Sequence, residues 1–262
     1  MSAPVPPEDL PAYFTRVSAH TFRPTRHTGG AWSLTEQHVS PLHGLLVHAV
    51  EQAVGPGKVL SRIVFDILGP VPLEPFDVTV EVVRPGRTVE LVDAAVRSGG
   101  RPVLLARAWR LAAYDSGPVA GGQGPALGDL PPWPMTSVWP GGYIASLDVR
   151  RAADSVPGRA TAWVSTPVQL LADEPVSALA GFVALVDTAN GIGVRQSPEQ
   201  WLFPNVDLTI HLHRQPAPGP VGLDTTVVFG PDGQGVTSTV LHDVAGPVGT
   251  AAQVLTVRPR PA

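Results

Sequence analysis

The chain has 262 residues, of which 44% are hydrophobic and only 15% charged, which is enough apolar mass for one large domain or two small ones. Its net charge of -4 gives no general pull toward nucleic acid or anionic lipid, and the absence of cysteine excludes disulfides, a cysteine nucleophile and thiolate metal sites. The start, MSAPVPPEDL, lacks a basic stretch leading into an apolar one, and the longest apolar run, ALAGFVALV, is far short of the ~20 residues of a membrane span, so a cytoplasmic protein without membrane insertion is expected.

Thirty prolines and 27 glycines fall between periodic segments, where they read as turns and linkers. The first helix is predicted over 41–54, PLHGLLVHAVEQAV, with Ser40 as its cap, Pro41 at its first position and Gly55 closing it. Strands are predicted over 59–68, 76–84, 87–97 and 102–112, with RPGR and SGGR as tight turns between the last three. Residues 115–142 have no period and are dense in proline and glycine, the composition of a linker that is wrapped or loosely ordered. The order then repeats: a strand over 159–166, a helix over 175–189, and strands over 205–214, 221–229, 235–243 and 248–258. The expected division is therefore 1–114, a linker over 115–142, and 143–262.

A short motif marks the repeat. VEQAVGPG (50–57) and VDTANGIG (186–193) both read V-[DE]-x-A-x-G-x-G, which puts Glu51 and Asp187 in matching places. The segment 178–186 is apolar on every side, so its helix must be wrapped by a sheet. A curved antiparallel sheet around a central apolar helix is the hotdog fold, and the expectation is an α+β chain of two in tandem, each covering the other's open sheet edge and helix face.

Asp187 in the last turn of a buried helix opposes the helix dipole at a cost of ~0.3–1 kcal/mol, which a purely structural position has no reason to accept. In 205–214 the apolar set Val206, Leu208, Ile210 and Leu212 alternates with Asn205, Asp207, Thr209, His211 and His213. That polar face is either solvent-facing or part of the floor of a polar site. His211 and His213 have the spacing of a metal pair but no third ligand is signalled, so no metal and no cofactor is expected. Gln253 shares an apolar face with Ala251, Leu255 and Val257, so its amide requires buried polar partners; its rough counterpart in the first half is Arg107. There is no Walker-type loop and no G-x-S-x-G elbow, and both G-x-G pieces end helices where a dinucleotide fingerprint opens one.

At these residues the chain resembles the TesB-like (type II) acyl-CoA thioesterases, through HTGGAW, QHVSPLHGLL, PNVDLTIHLHRQP and GPVGTAAQVLTVRP in their order and spacing. The resemblance covers nearly the whole chain and implies the tandem double hotdog. It implies a water-binding trio in the second hotdog, an Asp, a Thr or Ser, and a Gln. The Asp matches Asp187. The Gln precedes an Arg by five residues, as Gln253 precedes Arg258. The hydroxyl position, two residues before Asp207 and upstream of His213 and Arg214, is here Asn205, a departure that Thr209 on the same face could offset. The implied reaction is hydrolysis of an acyl-CoA or acyl-carrier thioester by a directly activated water. His43 and Gly44, near the start of the first helix, are candidates for the oxyanion site, and Trp201, Phe203, Trp32 and Phe182 for an acyl pocket. A non-catalytic acyl-CoA or lipid-binding protein and an enoyl-CoA hydratase are the alternatives; the hydratase needs an Asp/His pair, and no such motif is evident around any histidine. A homo-oligomer is a further expectation, although two tandem units already mimic a dimer.

Overall fold

In the computed structural model, residues 11–122 and 124–261 are described. Two strands, β1 (Ala12–Arg16) and β2 (Thr21–Pro24), precede helix α1 (Val39–Val54). A meander follows, β3 (Lys58–Ile67), β4 (Phe76–Arg84), β5 (Val89–Ser98) and β6 (Arg101–Ala112). After the Pro/Gly-rich segment come the short helix α2 (Gly142–Ala145) and strands β7 (Asp148–Arg151), β8 (Arg159–Ser165) and β9 (Gln169–Leu171). The second half continues with α3 (Ala178–Val186), α4 (Ala189–Ile192), β10 (Trp201–Leu202), a second meander of β11 (Asp207–Leu212), β12 (Val221–Phe229), β13 (Gln234–Asp243) and β14 (Gly246–Thr256), and a short β15 (Arg258–Pro259). The periodic segments of the sequence all appear. The strands it did not signal, β1, β2, β7, β9, β10 and β15, are two to five residues long, too short for an alternation to declare itself.

Thirteen strands make one sheet in the order β7-β8-β12-β13-β14-β11-β3-β6-β5-β4-β2-β1-β9. The two meanders join at its middle, where β11 pairs antiparallel with β3 and sets Leu208 beside Phe65 and Ile210 beside Ile63, all fully buried. β8 and β9 belong to opposite ends of this order, yet only residues 166–168 separate them. A chain advances at most ~3.6 Å per residue, so the sheet has to curl until its ends approach each other. β9 pairs in parallel with β1, and the Tyr13 hydroxyl bonds to both Ser146 (2.7 Å) and Thr166 (3.2 Å) across the same closure. The result is the α+β double hotdog.

The helices fill the curl. α1 and α3 run antiparallel, and their contact is close because Gly44 has no side chain: a Cβ there would stand 2.5 Å from both the carbonyl oxygen of Ala180 and the Cβ of Ala184. Ser40 does not cap α1. Its hydroxyl donates instead across the helix pair to the Ala184 carbonyl (2.8 Å). The cap is His38, two residues earlier, whose Nδ1 accepts from the Ser40 N–H (3.2 Å). α3 is shorter than 175–189. Ser177 caps it by accepting from the Ala180 N–H, and it ends at Val186, with Asp187 and Thr188 leading into α4. The same Ser177 hydroxyl donates to Glu51 Oε2 (2.7 Å), so the carboxylate ending α1 meets the start of α3.

The 115–142 segment is wrapped against the fold. Trp163 Nε1 donates to the Gly128 carbonyl, Trp139 Nε1 donates to the Gly191 carbonyl (3.0 Å), and Met135 and Trp139 are buried.

Two glycine substitutions separate close packing from helix propensity. Gly44→Ala should lower the unfolding free energy by roughly 1–3 kcal/mol through overpacking. Gly181→Ala, on α3 with nothing within 4 Å of its added Cβ, should raise it by up to ~1 kcal/mol. Denaturant midpoints of the two variants, read against the native chain, check both signs.

Candidate active site

The carboxylate of Asp187 is 4% exposed, at the point where α3 gives way to α4. Two amides reach it from the sheet. Asn205 lies just ahead of β11, bridged to Leu255 of β14, so it stands beside the strand that carries Gln253. Asn205 Nδ2 donates to Asp187 Oδ1 (2.7 Å) and to the Asp207 carbonyl (3.0 Å), which fixes the amide's orientation. Gln253 Nε2 donates to the same Asp187 Oδ1 (2.8 Å), while its Oε1 is buried without a partner among the described residues. The polar partner that the sequence demanded for Gln253 is thus Asp187 itself. Thr209 lies farther along β11, between Val64 and Ala252, and is not among the groups that bond Asp187.

Asp187 Oδ2 accepts no hydrogen bond from a described residue. His38 Nδ1 stands 3.9 Å away, too far for one. Burial holds His38 down to about 3, so the ring is neutral and the two groups do not form an ion pair. Burial also pushes the Asp187 carboxyl up, to about 6; the amide hydrogen bonds from Asn205 and Gln253 oppose the rise, and the negative charge of Asp207 adds to it. The site therefore holds a carboxylate with one oxygen committed to amides, one oxygen free, and an affinity for protons close to neutrality.

Asp187, Asn205 and His38 line a cavity of about 580 Å³ between the halves, within the range of small-molecule sites. Its apolar wall includes Trp32, Ile67, Val71, Met135, Trp139 and Ile144, and Arg258 and Arg260 also line it. Trp32 meets both Trp139 (4.8 Å) and Phe203 (5.0 Å) edge to face.

Several sequence-based substrate positions fall elsewhere. Gly44 is consumed by the helix crossing. His43 is fully buried and stacked on Phe65 (4.2 Å), with neither ring nitrogen partnered among the described residues. Phe203 is 1% exposed and backs Trp32 from behind, and Trp201 pairs with Pro259 in the β10–β15 ladder; neither lines the cavity, and nor does Phe182. The physical reason is that the cavity opens at the first turn of α1, while positions 43 and 44 sit in its second turn, facing the core. His38 was missed because nothing in QHVSP distinguishes a capping histidine from a surface one. Of the paired histidines, His211 is exposed and His213 Nε2 contacts the Pro247 carbonyl (3.1 Å). No group of three candidate metal ligands exists among the described residues. Arg214 makes a bidentate bond to Asp243, which holds that carboxyl down to about 2; it fastens the β13–β14 turn to the end of β11 and does not reach the cavity.

Residues 28–111 match the acyl-CoA thioesterase N-terminal domain and residues 127–257 the acyl-CoA thioesterase C-terminal domain. The chain belongs to the acyl-CoA thioesterase family. No curated protein matches its sequence. Among solved structures it is similar to the acyl-CoA thioesterase II TesB2 of Mycobacterium marinum (16% identity, TM-score 0.69, covering 94% of this chain and 95% of that one). It is also similar to a hot dog fold protein of Alicyclobacillus acidocaldarius (14%, 0.72, 98% of each). The dehydratase domain of the CurF module of curacin polyketide synthase matches more loosely (12%, 0.55, 95% and 98%). At these identities the likeness is one of fold. No helix among the described residues is long and apolar enough to cross a membrane.

The raised carboxyl has a consequence for stability. Because the folded chain holds the Asp187 proton more tightly than the unfolded one, stability falls as pH rises from about 4 through 6. Asp187→Asn removes that charge but keeps an acceptor for the two amides. Its melting temperature at pH 7 should equal or exceed the native value, by an amount corresponding to at most about 3 kcal/mol, and the gap should close at pH 4. Thermal melts at the two pH values decide this.

Proposed function

We propose that the chain hydrolyses acyl-CoA thioesters with a water activated directly by Asp187. The observation that carries the reading is the asymmetric grip on this carboxylate: Asn205 and Gln253 hold Oδ1, and Oδ2 is left free beside the cavity. A water on Oδ2 adds to the thioester carbonyl carbon and gives its proton to Asp187. The C–S bond then breaks, and the departing sulfur takes that proton. No covalent enzyme intermediate is needed, since general base catalysis of this kind contributes ~10²–10⁴-fold and a thioester is already activated. The family's Thr or Ser position is held in this chain by Asn205, whose amide anchors Asp187 as a donor; Thr209 has no share in it on this reading. The acyl chain would lie along Trp32, Trp139, Ile67 and Val71, and the phosphates of CoA would lie toward Arg258 and Arg260.

The hydratase alternative gains one observation, since His38 and Asp187 do form an Asp/His pair in space. Its chemistry is less well served. The Nδ1 lone pair of His38 is occupied by the Ser40 N–H, and burial keeps the ring from taking a proton near neutral pH. A non-catalytic acyl-CoA binder would have no use for a carboxylate oriented through one oxygen with the other left free.

Release of free thiol from a panel of acyl-CoA substrates tests the hydrolase, and loss of enoyl-CoA absorbance tests the hydratase. Activity should be low at pH 5, rise through a midpoint near 6 as Asp187 ionises, and level off above it. Asp187→Asn should lose at least a hundredfold in kcat, whereas Glu51→Gln should stay within a few fold of the native rate. Tight binding without thiol release, over every chain length, would sink the enzyme reading.

A further inference from the structure

His38 is held more tightly than a cap requires. Its ring stacks on Tyr143 (centroids 4.2 Å apart, planes 29° apart), and the Tyr143 hydroxyl is itself tied to Thr188 Oγ1 (2.8 Å) and the Ala184 carbonyl (3.3 Å). The ring plane is thus fixed by the same α3–α4 junction that presents Asp187. Nδ1 accepts the Ser40 N–H, so in the neutral ring the proton resides on Nε2. Nε2 has no partner among the described residues, and it is not sealed from solvent in the way that both nitrogens of His43 and Nε2 of His48 are. The side chain keeps 14% of its surface exposed, and the residue lines the cavity. An unengaged N–H donor therefore belongs to a fixed ring that lines the cavity and whose Nδ1 stands 3.9 Å from the free Oδ2 of Asp187.

We propose that His38 is a catalytic residue of this site, with its Nε2–H donating to the thioester carbonyl oxygen and stabilising the negative charge that gathers there as water adds. This rests on the thioesterase reading above. Water supplies the new C–O bond and its proton goes to Asp187; the electron pair of the C=O bond moves onto the oxygen that His38 faces. As the C–S bond breaks, that pair returns and the sulfur leaves with the proton held by Asp187. His38 keeps its own proton throughout, acting as a neutral electrophile. Two features suit it to that part. The N–H groups of the first turn of α1 disfavour a second proton on the ring, and a neutral donor does not neutralise the carboxylate beside it. The histidine thus reports the same local constraint twice, once as a cap and once as a donor.

The test uses His38→Asn, which keeps an acceptor for the Ser40 N–H at a position where Asn caps well, but removes Nε2–H. Against an acyl-CoA that the native chain hydrolyses, kcat should fall about 10²–10³-fold, the loss seen when one oxyanion donor is removed. The Kd for the corresponding thioether analogue, which has a methylene where the carbonyl was, should stay within about twofold. A kcat within threefold of native, or a loss of thioether affinity matching the loss of kcat, would overturn the proposal. A second measurement needs no variant. The His38 Nε2–H resonance of the native chain should move on binding a ketone analogue, in which a methylene replaces the sulfur, and not on binding the thioether; an equal response to both overturns the proposal. If the native chain binds the thioether but hydrolyses no acyl-CoA, the underlying functional reading fails instead, and the two failures are told apart.

Discussion

The molecule depends on how closely two antiparallel helices approach at Gly44. With Ala180 and Ala184 facing it, the α1 and α3 backbones come near enough for Ser40 to bond the Ala184 carbonyl directly. This proximity sets each helix's terminal carboxylate against the other's first turn: Asp187 beside His38 at the start of α1, and Glu51 on the Ser177 hydroxyl at the start of α3. A negative charge next to a helix N-terminus is favourable. The dipole cost that each acid incurs at the end of its own helix is thus offset by the start of the neighbouring one. The pair of acids is a product of the duplication, and both have a structural rationale before any chemistry is asked of them.

What separates the two is the sheet. The pairing registers of the hairpins β5–β6 and β13–β14 match with one offset, 243 − 98 = 145 at their turns, where Ser98 faces Arg101 and Asp243 faces Gly246. The bulges after Val96 and Leu241 obey the same offset. Gln253 therefore corresponds to 253 − 145 = 108, which is Ala108 and not Arg107; Arg107 is exposed and engaged with Asp93. In the first half an alanine methyl stands where the second half has an amide donor. Glu51, half-buried and bonded by one hydroxyl, keeps a raised carboxyl but has no second donor among the described residues to orient it. Asp187 has two, both on one oxygen, so its other oxygen has a defined direction. A single register position thus distinguishes an orienting site from a structural contact.

The cavity depends on parts of the chain with no regular structure. Met135 and Trp139 come from the Pro/Gly-rich segment, and Trp139 is pinned to the carbonyl of Gly191, in the second copy of the repeated motif. Gly191 leaves room for that approach, since a Cβ would stand 3.4 Å from Trp139 Nε1 and push aside the end of the Met135 side chain, whereas Gly55 in the first copy closes α1 with a φ of 65°. The two copies of one motif use their glycines for different reasons: one for backbone conformation, the other for space.

Much of this was legible along the chain. The apolar stretch 178–186 demanded a wrapping sheet, the long strands announced themselves by alternation, and Asp187 and Gln253 stood out as polar groups in apolar settings whose burial needed a reason. These are local facts: each is a conflict between one side chain and its periodic neighbours, and a sequence records such conflicts directly. The sequence could not supply the meeting of Asp187, Asn205, Gln253 and His38. Those residues come from a helix end, a strand approach, a strand interior and a helix cap, and their distances depend on sheet curvature and on the missing side chain at Gly44. The same holds for the apolar wall: of the four aromatic candidates only Trp32 lines the cavity, and Trp139 stands there in place of Trp201, Phe203 and Phe182, because aromatic residues look alike along the chain whether they face a cavity or support the residue that does. Composition and period determined the layers. Which polar atoms share a dry space was decided only by the packing of two helices inside a closing sheet, since hydrogen bonding acts over about 3 Å and nothing in the chain order encodes a separation that small.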